Sequence, residues 1–209
     1  MTNVDNNPIT KPSARRYPIY LRVLKTLKNE GVEIVQSSRL AELMNIPATT
    51  IRKDLGKFGS LGISGHGYSV DRLYNVLSKE LKAHYQEEII FVGCGNKGRS
   101  VLSTFRYYCN VSCVFDENPE TVKNVNIPVY NLNELQEKKP ENCRIAVLCT
   151  EKNTQEIVDQ LISCGIKGVI SFTLEPYTVP DTLCVIHADP ASFVQEMVVL
   201  LGNSGGIYV

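Results

Sequence analysis

A chain of 209 residues with 43% apolar and 21% charged side chains has ordinary globular composition, which excludes wholesale disorder and suits two modest domains. Basic and acidic residues balance at 22 each, yet residues 1–85 hold 13 Lys and Arg against 7 Asp and Glu, and residues 86–209 hold 9 against 15. A basic domain joined to an acidic one is either the footprint of a polyanion partner or merely a solvated lysine face.

Residues 1–14 are polar and Pro-containing, with no basic segment leading into an apolar run, and are expected to form a disordered arm. No later stretch approaches a membrane span, so a cytoplasmic protein is expected. A first folded domain is expected over residues 15–85. Helix should begin near Tyr17, with Ile19, Leu21, Val23, Leu24 and Leu27 as its apolar face and Gly31 as its stop. Ser37 and Ser38 should cap a short helix, Arg39 to Met44, broken by Asn45-Ile46-Pro47. A second helix, Ala48 to Phe58, buries Ile51, Leu55 and Phe58, which completes a helix-turn-helix. Glycines at 59, 62, 65 and 67 then interrupt alternating apolar residues, as a β-hairpin requires, and Val70 to Tyr85 forms a linking helix. The pattern is that of a winged helix.

Over residues 86–187 strands alternate with helices: strands at 88–92, 111–115, 128–130, 144–149 and 168–172, and helices at 99–108, 132–137 and 154–164. An α/β doubly wound parallel sheet of the Rossmann type follows. Residues 188–209 add a helix from Pro190 to Leu201, capped by Asp189, whose nearly all-apolar second half needs a partner surface.

Gly93-Cys94-Gly95-Asn96-Lys97-Gly98 follows a strand and opens a helix, and Asp116 ends the next strand 23 residues after Gly93. In the dinucleotide fingerprint the first glycine makes the tight turn, the second lets backbone approach the pyrophosphate, and the third packs helix on strand. The acid accepts ribose hydroxyls and repels a 2′-phosphate, which favours NAD(H) over NADP(H). The same pattern also suits a Rossmann fold with a different ligand or none. Thr150, after the fourth strand, joins the expected cofactor residues. In the first domain, Thr49, Thr50, Arg52, Lys53 and Lys57 form a polar helix face suited to DNA, Arg reading guanine edges and Lys neutralising phosphates. The bland alternative is a solvated helix with Arg52 or Lys53 paired to Asp54 or Glu42.

Catalytic groups are scarce: His66, His84 and His187 are not placed beside the glycine loop by sequence logic, so no catalytic residue and no enzyme activity are expected. Seven cysteines without a CxxC spacing suggest reduced thiols and no metal. Cys94 at a helix N-terminus is either a sensing thiol or a small buried filler of the loop.

The string Arg52-Lys53-Asp54-Leu55-Gly56-Lys57-Phe58-Gly59-Ser60-Leu61-Gly62, then Gly65-His66-Gly67-Tyr68, resembles the signature of the Rex redox-sensing repressors. Arg15-Arg16-Tyr17-Pro18 with Tyr20 and Arg22, Phe115-Asp116-Glu117-Asn118-Pro119 and Gly165-Ile166-Lys167-Gly168 are similar to its other motifs. The resemblance implies a homodimer whose final helices swap between Rossmann domains, binding an inverted-repeat operator, released by NADH and permitted to bind by NAD⁺. It also implies DNA contacts from Arg15, Arg16, Ser38, Ser64 and His66, and an interdomain switch of Arg22, Asp189 and a tyrosine of the first Rossmann helix. Four places differ from the family pattern. Thr150-Glu151-Lys152-Asn153 stands where the family has a Val-Pro loop, and Ser171-Phe172-Thr173-Leu174 where it has Asn-Phe-Ala-Pro. Thr104 replaces the tyrosine, and Ser64 the basic wing residue. A repressor with another ligand remains the nearest alternative, and a small NAD-dependent oxidoreductase a more distant one.

Overall fold

The computed structural model, which describes residues 11–63, 66–85 and 88–202, divides into two units, Met1–Tyr85 and Gln86–Val209. In the first unit α1 (Lys11–Asn29) starts six residues before Tyr17, so residues 11–14 are helix rather than disordered arm. The buried stripe explains the early start. Ser13, Tyr17, Tyr20, Leu24 and Leu27 face the core at alternating spacings of four and three. Ile19, Leu21 and Val23, read from the sequence as part of that face, are only half-buried, because tyrosines and a serine carry the stripe instead.

A two-residue strand β1 (Ile34–Val35) follows, too short to leave an alternation in the sequence. Next comes α2 (Ser37–Met44), whose N-cap is Gln36 with no side-chain cap bond; Ser37 and Ser38 lie in the first turn and do not cap it. Asn45 in the left-handed conformation ends that helix, and α3 (Ala48–Gly56) starts after Pro47. Strands β2 (Gly62–Ile63) and β3 (Gly67–Ser69) form the hairpin, and β1 pairs with β3 to make a three-stranded antiparallel sheet in the order β1-β3-β2. Helix α4 (Val70–Tyr85) closes the unit, with Val70, Leu73 and Leu77 packed in the same core as Leu24, Ile51 and Leu55.

The second unit is a six-stranded sheet. Its strands are β4 (Glu88–Val92), β5 (Asn110–Asp116), β6 (Val129–Asn131), β7 (Ile145–Leu148), β8 (Gly168–Ser171) and β9 (Cys184–His187). The order β6-β5-β4-β7-β8-β9 is parallel throughout, the doubly wound arrangement. Helix α5 (Asn96–Tyr108) covers one face through Leu102 and Phe105 against Phe91 and Val114. On the other face lie α6 (Leu135–Lys138) and α7 (Thr154–Ser163), through Leu135, Ile157, Val158 and Leu161 against Ile90, Phe115 and Leu148. Strands β4, β5 and β7, buried on both faces, read as continuous apolar runs, which is why they were visible in the sequence, whereas the largely exposed edge strand β9 left no such run and was not among the expected strands.

Chain order reverses between β4 and its two neighbours, so a crevice opens at their carboxyl ends, where Gly93, Asp116 and Cys149 leave the sheet. Helix α8 (Pro190–Gly202) has no buried residue; Phe193, Val194 and Met197 are 61%, 65% and 54% exposed. Among the described residues no helix is long and apolar enough to cross a membrane, and no cluster of His, Cys, Asp and Glu could hold a metal ion.

Candidate functional site

The first unit presents α3 as a basic face. Ile51, Asp54 and Leu55 turn inward, which leaves Thr49, Arg52 and Lys53 exposed and Thr50 and Lys57 half-buried. Arg52 does not pair with Asp54 or Glu42. Its Nη1 donates to Ser37 Oγ at 2.9 Å, which steadies the guanidinium at the head of α2, while Glu42 takes Arg39 at 2.8 Å. Arg15 and Ser38 are exposed, and so is His66 at the turn into β3; Ser64 and Gly65 lie outside the described residues.

Arg16 is elsewhere than expected. Its Nε donates to Asp54 Oδ2 at 2.6 Å and its Nη2 to Oδ1 at 2.9 Å, with Tyr20 Oη and Ser13 Oγ donating to the same carboxylate at 2.6 and 2.9 Å. Two donors of Arg16, a residue expected to contact DNA, are thus turned inward, since a carboxylate 1% exposed needs charged donors. Burial alone would raise the Asp54 carboxyl, but the bonds from Arg16, Tyr20 and Ser13 outweigh it and hold the group below the usual carboxylate range. Hydrogen bonding to Asp54 pushes the guanidinium up, and burial raises the Tyr20 phenol. The sequence carried a signal for this. Asp54 falls three residues after Ile51 and beside Leu55, on the apolar side of the helix.

In the second unit Gly93, Gly95, Asn96, Lys97, Gly98, Asp116 and Thr150 line one cleft of about 370 Å³ at the switch point. Each glycine has a distinct reason. Gly93 has φ +88°, and a Cβ there would sit 2.9 Å from the Cys149 carbonyl carbon; a Cβ on Gly98 would collide with the Gly93 carbonyl oxygen. A Cβ on Gly95 would meet nothing within 4 Å, so the protein itself does not need glycine there, whereas a ligand approaching the backbone would. Thr150 Oγ1 is buried without a hydrogen-bond partner among the described residues, a polar atom left for a guest. These features fit a dinucleotide.

Asp116 has a second task. Its Oδ2 accepts from the Cys94 N–H at 2.6 Å and its Oδ1 from the Asn118 N–H at 2.9 Å, so the acid also shapes the glycine loop, with lone pairs to spare for a ribose. Cys94 contributes only that backbone group. Its thiol is 1% exposed in the core, and burial, then the Asp116 charge, raises its pKa, which is a filler's role. Lys97 Nζ donates to the Phe172 carbonyl at 2.8 Å. Sequence reasoning missed Glu117, Asn118 and Lys152 in the cleft lining; they lie in the loops after β5 and β7, where the switch-point rule points. Asn153 Nδ2 donates to Glu117 Oε1 at 3.1 Å, linking the loops after those two strands.

Of the expected switch residues, Arg22 is exposed on α1 and Thr104 is exposed on α5, its Oγ1 donating to the Ser100 carbonyl at 3.3 Å. Asp189 caps α8: its Oδ1 accepts from the Ala191 N–H at 2.9 Å. His187 is exposed, its ring 5.8 Å from that of Tyr177, and does not line the cleft.

A family described as "Putative DNA-binding protein N-terminus" matches residues 8–56, and one described as "CoA binding domain" matches residues 84–175. The chain is 34% identical over 207 residues to the redox-sensing transcriptional repressor Rex of Lactobacillus gasseri, covering 96% of this chain and 97% of the relative. To the repressor of the same name from Bacillus subtilis it is 32% identical over 204 residues, covering 95% of each. The structure of RSP in complex with β-NAD⁺ and operator DNA superposes with a TM-score of 0.77 at 28% identity, over 96% of this chain and all of that one. RSP with β-NADH gives 0.77 at 27% identity, over 95% and 96%.

Proposed function

The chain belongs to the family of Rex redox-sensing transcriptional repressors, and from that premise we propose that it represses transcription by binding operator DNA, with an affinity set by the NADH/NAD⁺ ratio. It is a DNA-binding repressor and not an enzyme, acting in the cytoplasm. The observation that carries the reading is one chain holding both halves of the device: an exposed Thr49, Arg52 and Lys53 face on α3, and a switch-point cleft in which Gly95 leaves room for a ligand.

Arg52, Thr49 and Thr50 face the major groove in this reading, and Lys53, Lys57, Arg15 and Ser38 hold phosphates. His66 at the wing faces the minor groove. The α5 N-terminus, with Gly93 to Gly98, takes the pyrophosphate; Asp116 takes the adenine ribose; Thr150 lies toward the nicotinamide half. When bound, the cofactor supplies no reaction here; it is a ligand whose two redox forms differ in charge and shape. A ligand shifts a conformational equilibrium only by its differential affinity, so NADH must prefer a state in which two recognition helices no longer match adjacent major grooves.

Two such helices require a homodimer reading an inverted repeat. The bare apolar flank of α8, far larger than a scatter of surface leucines, is the surface that a second copy covers. Arg22, Asp189 and the Thr104 position are carried over from the resemblance as the residues through which the ligand alters operator affinity.

Fluorescence anisotropy of an operator duplex tests the reading, with NAD⁺, NADH or NADPH added at two salt concentrations. Salt-dependent binding that NADH weakens and NADPH does not is expected. Operator affinity indifferent to both redox forms would leave a DNA-binding protein with another ligand.

A further inference from the structure

We propose that Lys97 is a charge filter that sets the preference of the cleft for reduced over oxidised dinucleotide. The inference rests on the dinucleotide reading above. Asp116 ends β5, on one side of β4, and with the α5 N-terminus it fixes where the adenosine half and the pyrophosphate lie. The other half of the ligand then crosses to the opposite side of β4, over the ends of β7 and β8. Lys97 stands in the first turn of α5, immediately before Gly98, lines the cleft, and reaches to that opposite side: its ammonium is tied at 2.8 Å to the carbonyl of Phe172, the residue after β8.

The ammonium is thus a half-buried cation held in place on the nicotinamide side. The two redox forms share the adenosine, both riboses and the pyrophosphate, and differ by one unit of charge on the ring, cationic in NAD⁺ and neutral in NADH. A fixed cation repels the first ring and not the second. Other charges on that side do not cancel it. Glu151 and Lys152 also line the cleft, but both are exposed, adjacent in sequence and opposite in sign, so solvent and each other screen them. Lys97, half-buried and anchored, keeps more of its field, worth about tenfold in affinity at a typical protein dielectric.

Calorimetric titration of the full chain with NADH, NAD⁺ and ADP-ribose, which lacks the nicotinamide ring, tests this. Lys97→Met is expected to lower the NADH/NAD⁺ affinity ratio by about tenfold, and Lys97→Arg to preserve it. Lys97→Gln separates charge from latch: it keeps an N–H donor for the Phe172 carbonyl without the charge, so the ratio must fall there as well. A ratio unchanged in Lys97→Met overturns the proposal, as does a fall confined to Met and absent in Gln. Equal weakening of all three ligands would make Lys97 a general anion holder and also overturns it. If neither dinucleotide binds the unmodified chain, the cofactor reading itself has failed, an outcome distinct from an unchanged ratio.

Discussion

Arg16 grips Asp54 through two donors at 2.6 and 2.9 Å, so the helix that would read DNA is fixed to α1 through a carboxylate only 1% exposed. The bond ties residues 38 positions apart, and Tyr20 and Ser13 complete the carboxylate's shell. Removing one partner of such a pair leaves a buried charge uncompensated.

Arg16→Met is therefore expected to destabilise the chain by about 3 kcal/mol, and Arg16→Lys to recover only part of that because Lys lacks the fork. Chemical denaturation measures the loss. A phosphate contact would instead be retained by Lys, with little change in stability. Acid supplies a second check. Since the folded Asp54 value lies below its ordinary 3.8, the stabilisation is complete above about pH 4 and is lost as pH falls through the depressed folded value. Asp54→Asn should flatten the acid limb of the stability profile below pH 4.

Arg52→Ala should cost about 1–3 kcal/mol on operator and relax base preference, whereas Lys53→Ala should weaken all sequences alike and reduce the salt slope by about one. Anisotropy titrations on operator and scrambled duplexes distinguish the two. Equal effects of both variants on both duplexes would remove Arg52 from base reading.

Gly95 and Gly98 should fail differently when given a side chain. Gly95→Val has open space around its Cβ and is expected to fold normally but bind NADH at least about tenfold more weakly, since backbone can no longer approach the pyrophosphate. Gly98→Val collides with the Gly93 carbonyl oxygen and should lower the melting temperature with or without ligand. Thermal scans beside NADH titrations separate the cases. Asp116→Ala should narrow the gap between NADH and NADPH and also loosen the loop through loss of the Cys94 N–H bond.

Val194→Asp together with Met197→Asp, on a helix with no buried residue, is expected to yield a folded monomer with weakened operator binding. Sedimentation velocity reads the mass. A variant that stays dimeric would place the dimer contact away from α8.

The signal between domains offers the last test. Thr104 is bonded back to its own helix at Ser100 and is too short for the reach of a tyrosine. Thr104→Tyr is expected to increase the ratio of operator affinities measured with NAD⁺ and with NADH. Asp189→Asn should alter operator affinity itself, and a null effect of both would move the switch to other residues.

Periodicity and glycine placement determined most of this protein without help. The strands buried on both faces left apolar runs, Gly93-Cys94-Gly95-Asn96-Lys97-Gly98 marked the strand-to-helix turn, and Ile51 and Leu55 marked the inward side of α3. These signals are local, because a helix or strand must show its buried side in its own spacing. What only the tertiary structure decided involves partners distant in sequence. The grip of Arg16 on Asp54 joins residues 38 positions apart, and β1 was invisible because two residues show no period until β3 pairs with them. Asp116 and Lys97 gained their bonds to Cys94 and Phe172 in the same way. A charge declares its role through what neutralises it, and that neighbour is supplied by the packing of elements, not by the residues beside it in the chain.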